Sequence, residues 1–321
     1  MSARRCRVAF IGAGSMGREH AKAFRSLPDV ELVGIFSRTR SRAEELAREW
    51  SIGTVCDSIE ALAHDTGADL VIISVPELEV RAVVAEAVRY PWALLIEKPA
   101  GYDVPDAEQI CDAVREQGRI AMVALNRRWY SSTRAALEDL ASVSSQRFIQ
   151  VLDQQDQQAA LAMGQPPLVV ANYMYANSIH LIDYLRVFGR GAVTGVQPVV
   201  PWDPGKPGIV VSKIAFESGD IGLYEGIWNG PGPWAVTVST PAKRWEMRPL
   251  ERCAVQVAGS RELEARAVDK LDVDFKPGLV LQARHAVSAA MGDSVSLPTV
   301  FDALETMRLA RAIFTPLAPS R

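Results

Sequence analysis

The chain opens with a short apolar run, Val8–Ile11, followed by a glycine-rich turn and a helical stretch rich in Glu, Ala and Lys. A continuous apolar run of this kind is typical of a strand buried on both faces of a parallel sheet. Similar runs at Glu31–Phe36, Asp69–Ser74 and Ala93–Ile96 alternate with helical patterns. This alternation predicts a doubly wound parallel sheet. Further strands are expected at Thr54–Cys56 and Arg119–Leu125, and helices at Met16–Leu27, Ser41–Trp50, Ile59–Ala63, Val80–Tyr90 and Pro105–Gln117.

The pattern changes near residue 145, where strands follow one another too closely for helical crossovers. Such spacing predicts a mostly antiparallel sheet. The polar run Asp153–Gln158 is predicted to be a solvated loop. We expect a domain boundary near Asn126, bridged by a helix at Ser132–Leu140. The remaining elements are predicted as strands Arg147–Leu152, Val210–Phe216, Ile221–Trp228, Ala235–Ser239 and Arg244–Met247, and helices Asn177–Phe188, Leu279–Ala290 and Val300–Phe314.

Composition narrows the class of protein. The 321 residues carry a net charge of −3, which argues against nucleic acid as a partner. The apolar run after Arg7 is too short for a signal peptide or a membrane span, and Gly12 and Gly14 interrupt it. The four cysteines are scattered, without the spacing of a zinc site. We therefore expect a cytoplasmic protein with no metal and no membrane partner.

The glycine-rich turn predicts a dinucleotide site. Gly12 would permit a tight turn, Gly14 a close approach of the backbone to a pyrophosphate, and Gly17 close packing of helix on strand. The pyrophosphate would lie on the unpaired N–H groups at the helix N-terminus. An ordinary glycine turn is the alternative. The predicted cofactor contacts in this turn are Gly12, Ala13, Gly14, Ser15, Met16 and Gly17.

The end of the second strand bears on the choice of cofactor. NAD-binding folds place an Asp or Glu about 20 residues after the glycines. Here the strand ends instead in Ser37 and Arg38, with Arg42 just beyond. Hydroxyl and guanidinium groups suit a 2′-phosphate, which favours NADP over NAD. The alternative is that these arginines form the solvated start of a helix.

Glu97-Lys98-Pro99 follows the fifth strand, at the sheet edge where ligands of such folds bind. Beside a cationic nicotinamide ring the pKa of Lys98 would fall toward a range useful for acid–base catalysis. Glu97 could hold the ammonium group in place. A solvated strand end is the alternative.

Several motifs, in this order, resemble the glucose–fructose oxidoreductase/inositol dehydrogenase (Gfo/Idh/MocA) family over essentially the whole chain. The motifs are Gly12–Gly17, Ser74-Val75-Pro76, Glu97-Lys98-Pro99, Asn126-Arg127-Arg128 and His180-Leu181-Ile182-Asp183. The resemblance implies an N-terminal Rossmann domain (1–125) and a C-terminal α+β domain (126–321). The latter would have an open, mostly antiparallel sheet that binds substrate and forms oligomer contacts. It also implies a homo-oligomeric NAD(P)-dependent oxidoreductase acting on sugars, polyols or sugar nucleotides, with Ser74, Val75, Pro76 and Glu97 near the cofactor.

The family's catalytic lysine falls on Lys98 and its histidine on His180. A core histidine is the alternative for His180. Many members have an Asp one turn before this histidine, where this chain has Ala176. Tyr175, Asn177 or Asp183 could replace that Asp, or catalysis could depend on Lys98 and His180 alone; all three candidates are predicted to contact substrate. The histidine usual after the fourth strand is also replaced, by Val80.

The segment after the sixth strand matches the family's nicotinamide-proximal Asn/Arg segment. Asn126 and Arg128 are predicted to contact the cofactor, and Arg127 the substrate; a salt bridge at a domain hinge is the alternative. Trp228 and Trp234 border a Gly/Pro loop, where Trp rings could stack on sugars or fill an oligomer interface. Trp234 is the predicted substrate contact.

Together these patterns predict an NADP-dependent oxidoreductase that transfers hydride between a nicotinamide and a carbinol or ketone carbon. The predicted substrate is a sugar, sugar derivative or nucleotide sugar. Two alternatives stay open: a non-catalytic NADP(H)-binding sensor or scaffold, and a reductase of an imine or other non-sugar substrate.

Overall fold

The computed structural model describes residues 4–294 and 297–316, which form two compact units. The first unit combines the chain up to Asn126 with Val273–Leu304. The second combines Arg127–Asp272 with the chain from Glu305 onward. Val273–Leu304, which the sequence division assigns to the second domain, thus lies in the first unit.

The first unit contains a six-stranded sheet in the order β3-β2-β1-β4-β5-β6, and every pair in it is parallel. The residues of β4 and β5 are all buried, as expected for strands covered on both faces. The predicted doubly wound parallel sheet is confirmed. Its elements are β1 Cys6–Ile11, β2 Val30–Phe36, β3 Thr54–Cys56, β4 Leu70–Ile73, β5 Ala93–Ile96, β6 Ala121–Val123, α1 Ser15–Arg25, α2 Arg40–Trp50, α3 Ile59–Thr66, α4 Val80–Ala87 and α5 Val104–Glu116.

The second unit contains an eight-stranded sheet in the order β14-β13-β12-β11-β7-β10-β9-β8. Its strands are β7 Phe148–Gln155, β8 Val193–Val200, β9 Ile209–Phe216, β10 Ile221–Trp228, β11 Ala235–Ser239, β12 Lys243–Met247, β13 Cys253–Val257 and β14 Glu264–Ala265. All pairs are antiparallel except β7 with β10. Alternate residues of β7, β9 and β10 are buried, so one face of the sheet covers a core. The predicted mostly antiparallel sheet is confirmed.

The helices after the first sheet are α6 Ser131–Leu140, α7 Gln157–Ala162, α8 Pro167–Ala171, α9 Ile179–Phe188, α10 Lys270–Asp274, α11 Leu279–Ala290 and α12 Val300–Ile313. Within the described residues, no helix is both long and apolar enough to cross a lipid bilayer. The same residues contain no group of three or more His, Cys, Asp or Glu side chains arranged to hold a metal ion.

The polar run after β7 corrects one prediction. The solvated loop expected at Asp153–Gln158 is wrong, because β7 continues to Gln155 and α7 begins at Gln157. Asp153 and Gln155 are each only 1% exposed. Hydrogen bonds to buried polar neighbours compensate the lost hydration, so their hydrophilic character does not keep them at the surface.

Candidate functional site

Two of the three glycines in the turn between β1 and α1 are required by close contacts inside the fold. Gly12 has φ +106°, and a Cβ there would lie 2.2 Å from the Ser74 carbonyl oxygen. A Cβ on Gly17 would lie 2.7 Å from the Gly12 carbonyl oxygen. A Cβ on Gly14 would meet no heavy atom within 4 Å. Folding therefore requires glycine at positions 12 and 17, whereas position 14 leaves open space in front of the α1 N-terminus.

A cavity of about 200 Å³ lies at the carboxyl ends of β1, β2 and β4. It is lined by Ile11, Gly12, Ala13, Gly14, Phe36, Ser37, Arg38, Thr39, Arg42, Ser74, Val75, Pro76, Glu79 and Val83. A second cavity, of about 230 Å³, is lined by Ala13, Gly14, Ser15, Arg18, Arg42 and Glu45. The residues that line the two cavities thus include predicted cofactor contacts from the segments after three different strands. Met16 and Gly17 belong to the first turn of α1 and line neither cavity.

Charges at the cavity include a carboxylate that sequence reasoning missed. Arg38 Nη1 lies 3.0 Å from Glu79 Oε1. Glu79 follows β4 rather than β2, so the search for an acid at the end of β2 did not find it. Arg40 pairs with Glu44 and Asp57. Arg42 is exposed, and its side chain forms no ion pair within the described residues.

Glu97 and Lys98 follow β5 at the same sheet edge. The Glu97 backbone N–H donates to the Ile73 carbonyl at 2.8 Å, which extends the ladder between β4 and β5. Lys98 is half-buried. Glu97 Oε1 lies 2.7 Å from His20 Nε2, a contact that the sequence interpretation did not foresee. Asn126 donates from Nδ2 to the Pro277 carbonyl at 3.0 Å, which gives it a structural partner within the first unit.

In the second unit, Tyr175 lies in a π-helical turn and His180 in the α-helix that follows it. Met174–Ser178 forms a π-helical turn that continues into α9. The α-helix predicted from Asn177 begins only at Ile179, and Asn177 itself lies in the wider π-helical turn, so positions before His180 do not follow α-helical spacing. Such turns often occur at functional sites. Tyr175 and His180 are 8% and 6% exposed.

Arg128 and Asp183 form a bidentate pair, with two contacts of 2.6 Å from Arg128 Nε and Nη2 to the carboxylate. Thr306 Oγ1 also donates to Asp183, at 2.9 Å, and receives a hydrogen bond from Arg186 at 2.9 Å. Geometry of this kind stabilises a buried carboxylate. Arg128 thus forms a salt bridge, as in the alternative, but within the second unit. The cofactor contact predicted for Arg128 and the substrate contact predicted for Asp183 stay predictions.

Asn177 belongs to a buried polar network centred on Asp153. Asn177 Nδ2 donates to Gln155 Oε1 at 2.8 Å, and Gln155 Nε2 donates to Asp153 Oδ1 at 2.6 Å. The Tyr224 hydroxyl donates to Asp153 Oδ2, also at 2.6 Å. Burial raises the pKa of Asp153, and these hydrogen bonds offset part of that rise. The network fixes the orientation of the Asn177 amide.

The two tryptophans beside the Gly/Pro loop differ in environment. Trp228 is 3% exposed and packs against Trp202 and Phe314, so it belongs to the core. Trp234 is half-buried, and its Nε1 donates to the Gln154 carbonyl at 2.7 Å. The Arg127 guanidinium lies 4.8 Å above the Trp234 ring. Arg127 and Trp234, both predicted substrate contacts, thus form one cation–π pair.

Residues 6–125 match the family model described as the Gfo/Idh/MocA oxidoreductase family, NAD-binding Rossmann fold. Residues 6–125 therefore form an NAD-binding Rossmann domain of the Gfo/Idh/MocA oxidoreductase type. The matched segment ends one residue before the Asn126 boundary of the first unit. The resemblance is confirmed for the motifs within this segment, and the first unit contains an NAD(P)-binding Rossmann domain.

Curated relatives of known activity are similar to the chain at moderate identity. The 4-carboxy-2-hydroxymuconate-6-semialdehyde dehydrogenase of Sphingobium is 26% identical over 71% of this chain and 73% of its own length. The NAD(+)-dependent scyllo-inositol 2-dehydrogenase of Bacillus subtilis is 30% identical over 38% of this chain and 36% of its own length. The D-glucoside 3-dehydrogenase of Escherichia coli is 26% identical, over 42% of this chain and 39% of its own length. The last two matches therefore span about two fifths of each relative.

Solved structures share the fold over nearly the whole chain. A dehydrogenase from Chromobacterium violaceum has a TM-score of 0.83 at 19% identity, covering 97% of this chain and 94% of that one. A levoglucosan dehydrogenase in complex with NADH has a TM-score of 0.79 at 18% identity, covering 97% and 96%. At such identities the likeness shows the fold alone. The family model describes an oxidoreductase with an NAD-binding Rossmann fold, which agrees with the predicted class of NAD(P)-dependent dehydrogenase.

Proposed function

We propose that the enzyme uses NADP(H) and transfers hydride between the nicotinamide and a carbinol or ketone carbon of a sugar, sugar derivative or nucleotide sugar. The observation that carries the cofactor preference is the cavity wall formed by Ser37, Arg38, Thr39 and Arg42. Hydroxyl and guanidinium donors match a 2′-phosphate. Arg42 is best suited, because Glu79 already offsets the charge of Arg38.

Equilibrium binding of the two reduced cofactors tests this preference. We expect Arg42→Ala and Arg38→Ala to weaken NADPH binding by about tenfold or more, the loss of one strong charge-assisted contact, and to leave NADH binding nearly unchanged. Glu79→Gln is the matched control and should strengthen NADPH binding by removing a repelling charge. Unchanged NADPH affinity in both arginine variants would show that the 2′-phosphate is not bound here.

We propose Lys98 as the acid–base residue and His180 as the second catalytic residue, in line with their family positions. A bound nicotinamide dinucleotide would supply the hydride donor or acceptor. Lys98 Nζ would take the proton of a substrate hydroxyl during oxidation and return it during reduction. Its half-buried position after the fixed ladder residue Glu97 supports this role. His180 would hold the substrate oxygen or relay the proton, with Tyr175 or Asn177 in place of the Asp that Ala176 replaces.

A substrate panel tests the reaction. Levoglucosan, scyllo-inositol and UDP-N-acetylglucosamine would be assayed with NADP and NAD at 340 nm for the wild type, Lys98→Met and His180→Asn. We expect Lys98→Met to lower kcat by a factor of about 10² or more, the usual contribution of acid–base catalysis, while the Kd for NADPH stays within about twofold. Lys98→Arg is the control, since it keeps the charge but cannot release its proton. Normal turnover by Lys98→Met would contradict the assignment.

The pair of Arg127 and Trp234 favours a second candidate substrate class, unsaturated carboxylates derived from aromatic compounds. The cation lies over the aromatic face at 4.8 Å and combines a carboxylate partner with a stacking surface. The relative matched over the greatest length among those described above is a dehydrogenase of a carboxylated muconate semialdehyde. Turnover of aromatic-derived carboxylates but of no sugar in the panel would select this candidate, and Arg127→Gln should then raise KM.

We also propose a cytoplasmic homo-oligomer joined through the second sheet. All four cysteines are buried and none forms a disulfide, as expected in a reducing compartment. Large apolar side chains are exposed on β8 and β9, among them Val199 and Ile209, at 61% and 60%. Light scattering of the wild type and of Ile209→Glu tests the assembly. A monomeric wild type would contradict it.

A further inference from the structure

The buried pair of His20 and Glu97 joins the cofactor-binding helix to the strand end that carries Lys98. His20 lies on α1, one turn after Gly17, and is fully buried. Glu97 directly precedes Lys98 and is 8% exposed. His20 Nε2 lies 2.7 Å from Glu97 Oε1. One hydrogen bond therefore connects the two parts of the first unit that the reaction uses.

The chemistry of the pair defines which nitrogen bears a proton. An ionised carboxylate only accepts hydrogen bonds, so His20 Nε2–H must donate to it. Within the described residues, His20 Nδ1 is buried and has no hydrogen-bond partner. Among the described residues, the hydrogen-bond partner of the ring lies on its Nε2 side, which places the donated proton on Nε2. His20 thus acts as a fixed donor aimed at Glu97.

Stability alone gives little reason to keep this pair. Burying a polar pair costs desolvation free energy, and apolar residues of similar volume are often as stable or more so. The pair does fix geometry. The Glu97 backbone is held by β4 through Ile73, and its side chain is held by α1 through His20. Both the backbone and the side chain of Glu97, the residue before Lys98, are therefore held in place.

We propose that His20 is a positioning residue, which holds Glu97 against α1 and thereby sets the placement of the Lys98 amine relative to the cofactor-binding helix. This inference rests on the catalytic role proposed for Lys98. It assigns a function to a histidine of the first helix that the motifs did not single out.

Variants of His20 whose N–H donor extends to different distances from the backbone distinguish a role in positioning Glu97 from a role in filling the core. The His20→Gln substitution places an amide N–H donor where the imidazole Nε2–H lies, whereas His20→Asn has the same chemistry but its donor stops nearer the backbone. His20→Leu removes the donor and keeps the volume. Circular dichroism and the Kd for NADPH report folding and cofactor binding, and the latter should stay within threefold in all variants.

The direct readout is the reactivity of the Lys98 amine toward acetic anhydride, measured by peptide mass spectrometry with exposed Lys206 as the internal reference. The chain has only seven lysines, so each labelled peptide can be assigned. We expect the Lys98 rate relative to Lys206 to change threefold or more in the folded His20→Asn and His20→Leu variants. In His20→Gln it should stay within threefold of the wild type. The kcat on any panel substrate should follow the same order, with KM changed less.

A change of less than threefold in His20→Asn and His20→Leu would overturn the proposal. So would a change in His20→Gln equal to that in His20→Leu, because the donor would then not be the operative feature. If one of the variants His20→Asn and His20→Leu fails to fold, the other decides by the same threefold criterion. These results do not depend on turnover by Lys98→Met, so failure of the proposed function is detected separately.

Discussion

Gly14 and Gly12 lie two residues apart in the same turn, but substitution should affect different properties at the two positions. Gly14 has φ −81° and ψ −173°, an extended conformation open to alanine, and an added Cβ meets no heavy atom within 4 Å. Replacing glycine at a compatible position adds about 0.4–1 kcal/mol of stability, and losing glycine at a helix N-cap costs a similar amount. The two effects nearly cancel, so Gly14→Ala should leave the free energy of unfolding within about 0.5 kcal/mol of wild type.

At Gly12 the same substitution should damage the fold. A Cβ would lie 2.2 Å from the Ser74 carbonyl oxygen, a backbone atom directly after β4 that cannot rotate away. The φ of +106° adds strain for any residue with a Cβ. Backbone strain of about 1–3 kcal/mol and overpacking of a similar size give a loss of about 3 kcal/mol. At about 2–4 °C per kcal/mol, Tm should fall by roughly 6–12 °C.

Cofactor binding then distinguishes Gly14, which leaves room for a ligand, from Gly12, which leaves room for the protein's own backbone. We expect Gly14→Ala to weaken NADPH binding by at least about tenfold, because its methyl group would occupy the space predicted for the pyrophosphate, while Tm stays at the wild-type value. Gly195→Ala on β8 is the matched control, since a Cβ there also meets nothing within 4 Å. It should leave NADPH binding unchanged and, because no N-cap interaction is lost there, raise Tm by about 1–4 °C. Differential scanning fluorimetry and fluorescence titration measure both. Wild-type NADPH affinity in Gly14→Ala would refute the location of the pyrophosphate.

Two further predictions concern the second unit. Burial alone would raise the pKa of Asp220, but the bidentate Arg190 contacts outweigh it and lower the pKa from 3.8 to about 2. The stability that this lowered pKa contributes is present above pH 4 and is lost as pH falls toward 2. Asp220→Asn should therefore lower the free energy of unfolding by about 2 kcal/mol at pH 7, measured by urea unfolding, and flatten the fall in stability at acid pH. An unchanged fall at acid pH would contradict this. Tyr224→Phe removes a donor to the buried Asp153 carboxyl group and should lower the free energy of unfolding by about 1–3 kcal/mol in the same assay. A free energy of unfolding equal to that of the wild type would show that this hydrogen bond contributes nothing.

The sequence predicted best what depends on local pattern. The strands β3, β5, β10 and β11 have the expected bounds, because apolar runs between turn signals specify them without outside help. Strand β8 was not predicted. Most of its residues are exposed, so it has little apolar alternation, and its pairing with β9 forms it. The cavity wall was predicted wherever its residues directly follow a strand, as Ser37 and Ser74 do.

What the sequence did not predict are contacts between residues far apart in the chain. His20 and Glu97 are 77 positions apart, and Arg128 and Asp183 are 55 apart. Periodicity and motif spacing record neighbours within one element, whereas such pairs form only when the sheet order brings strand ends and helices together. A histidine one turn after the last glycine of the turn was the available signal, since α1 packs that face toward the sheet. Its meaning depended on knowing that β5, and with it Glu97, ends beside the same helix.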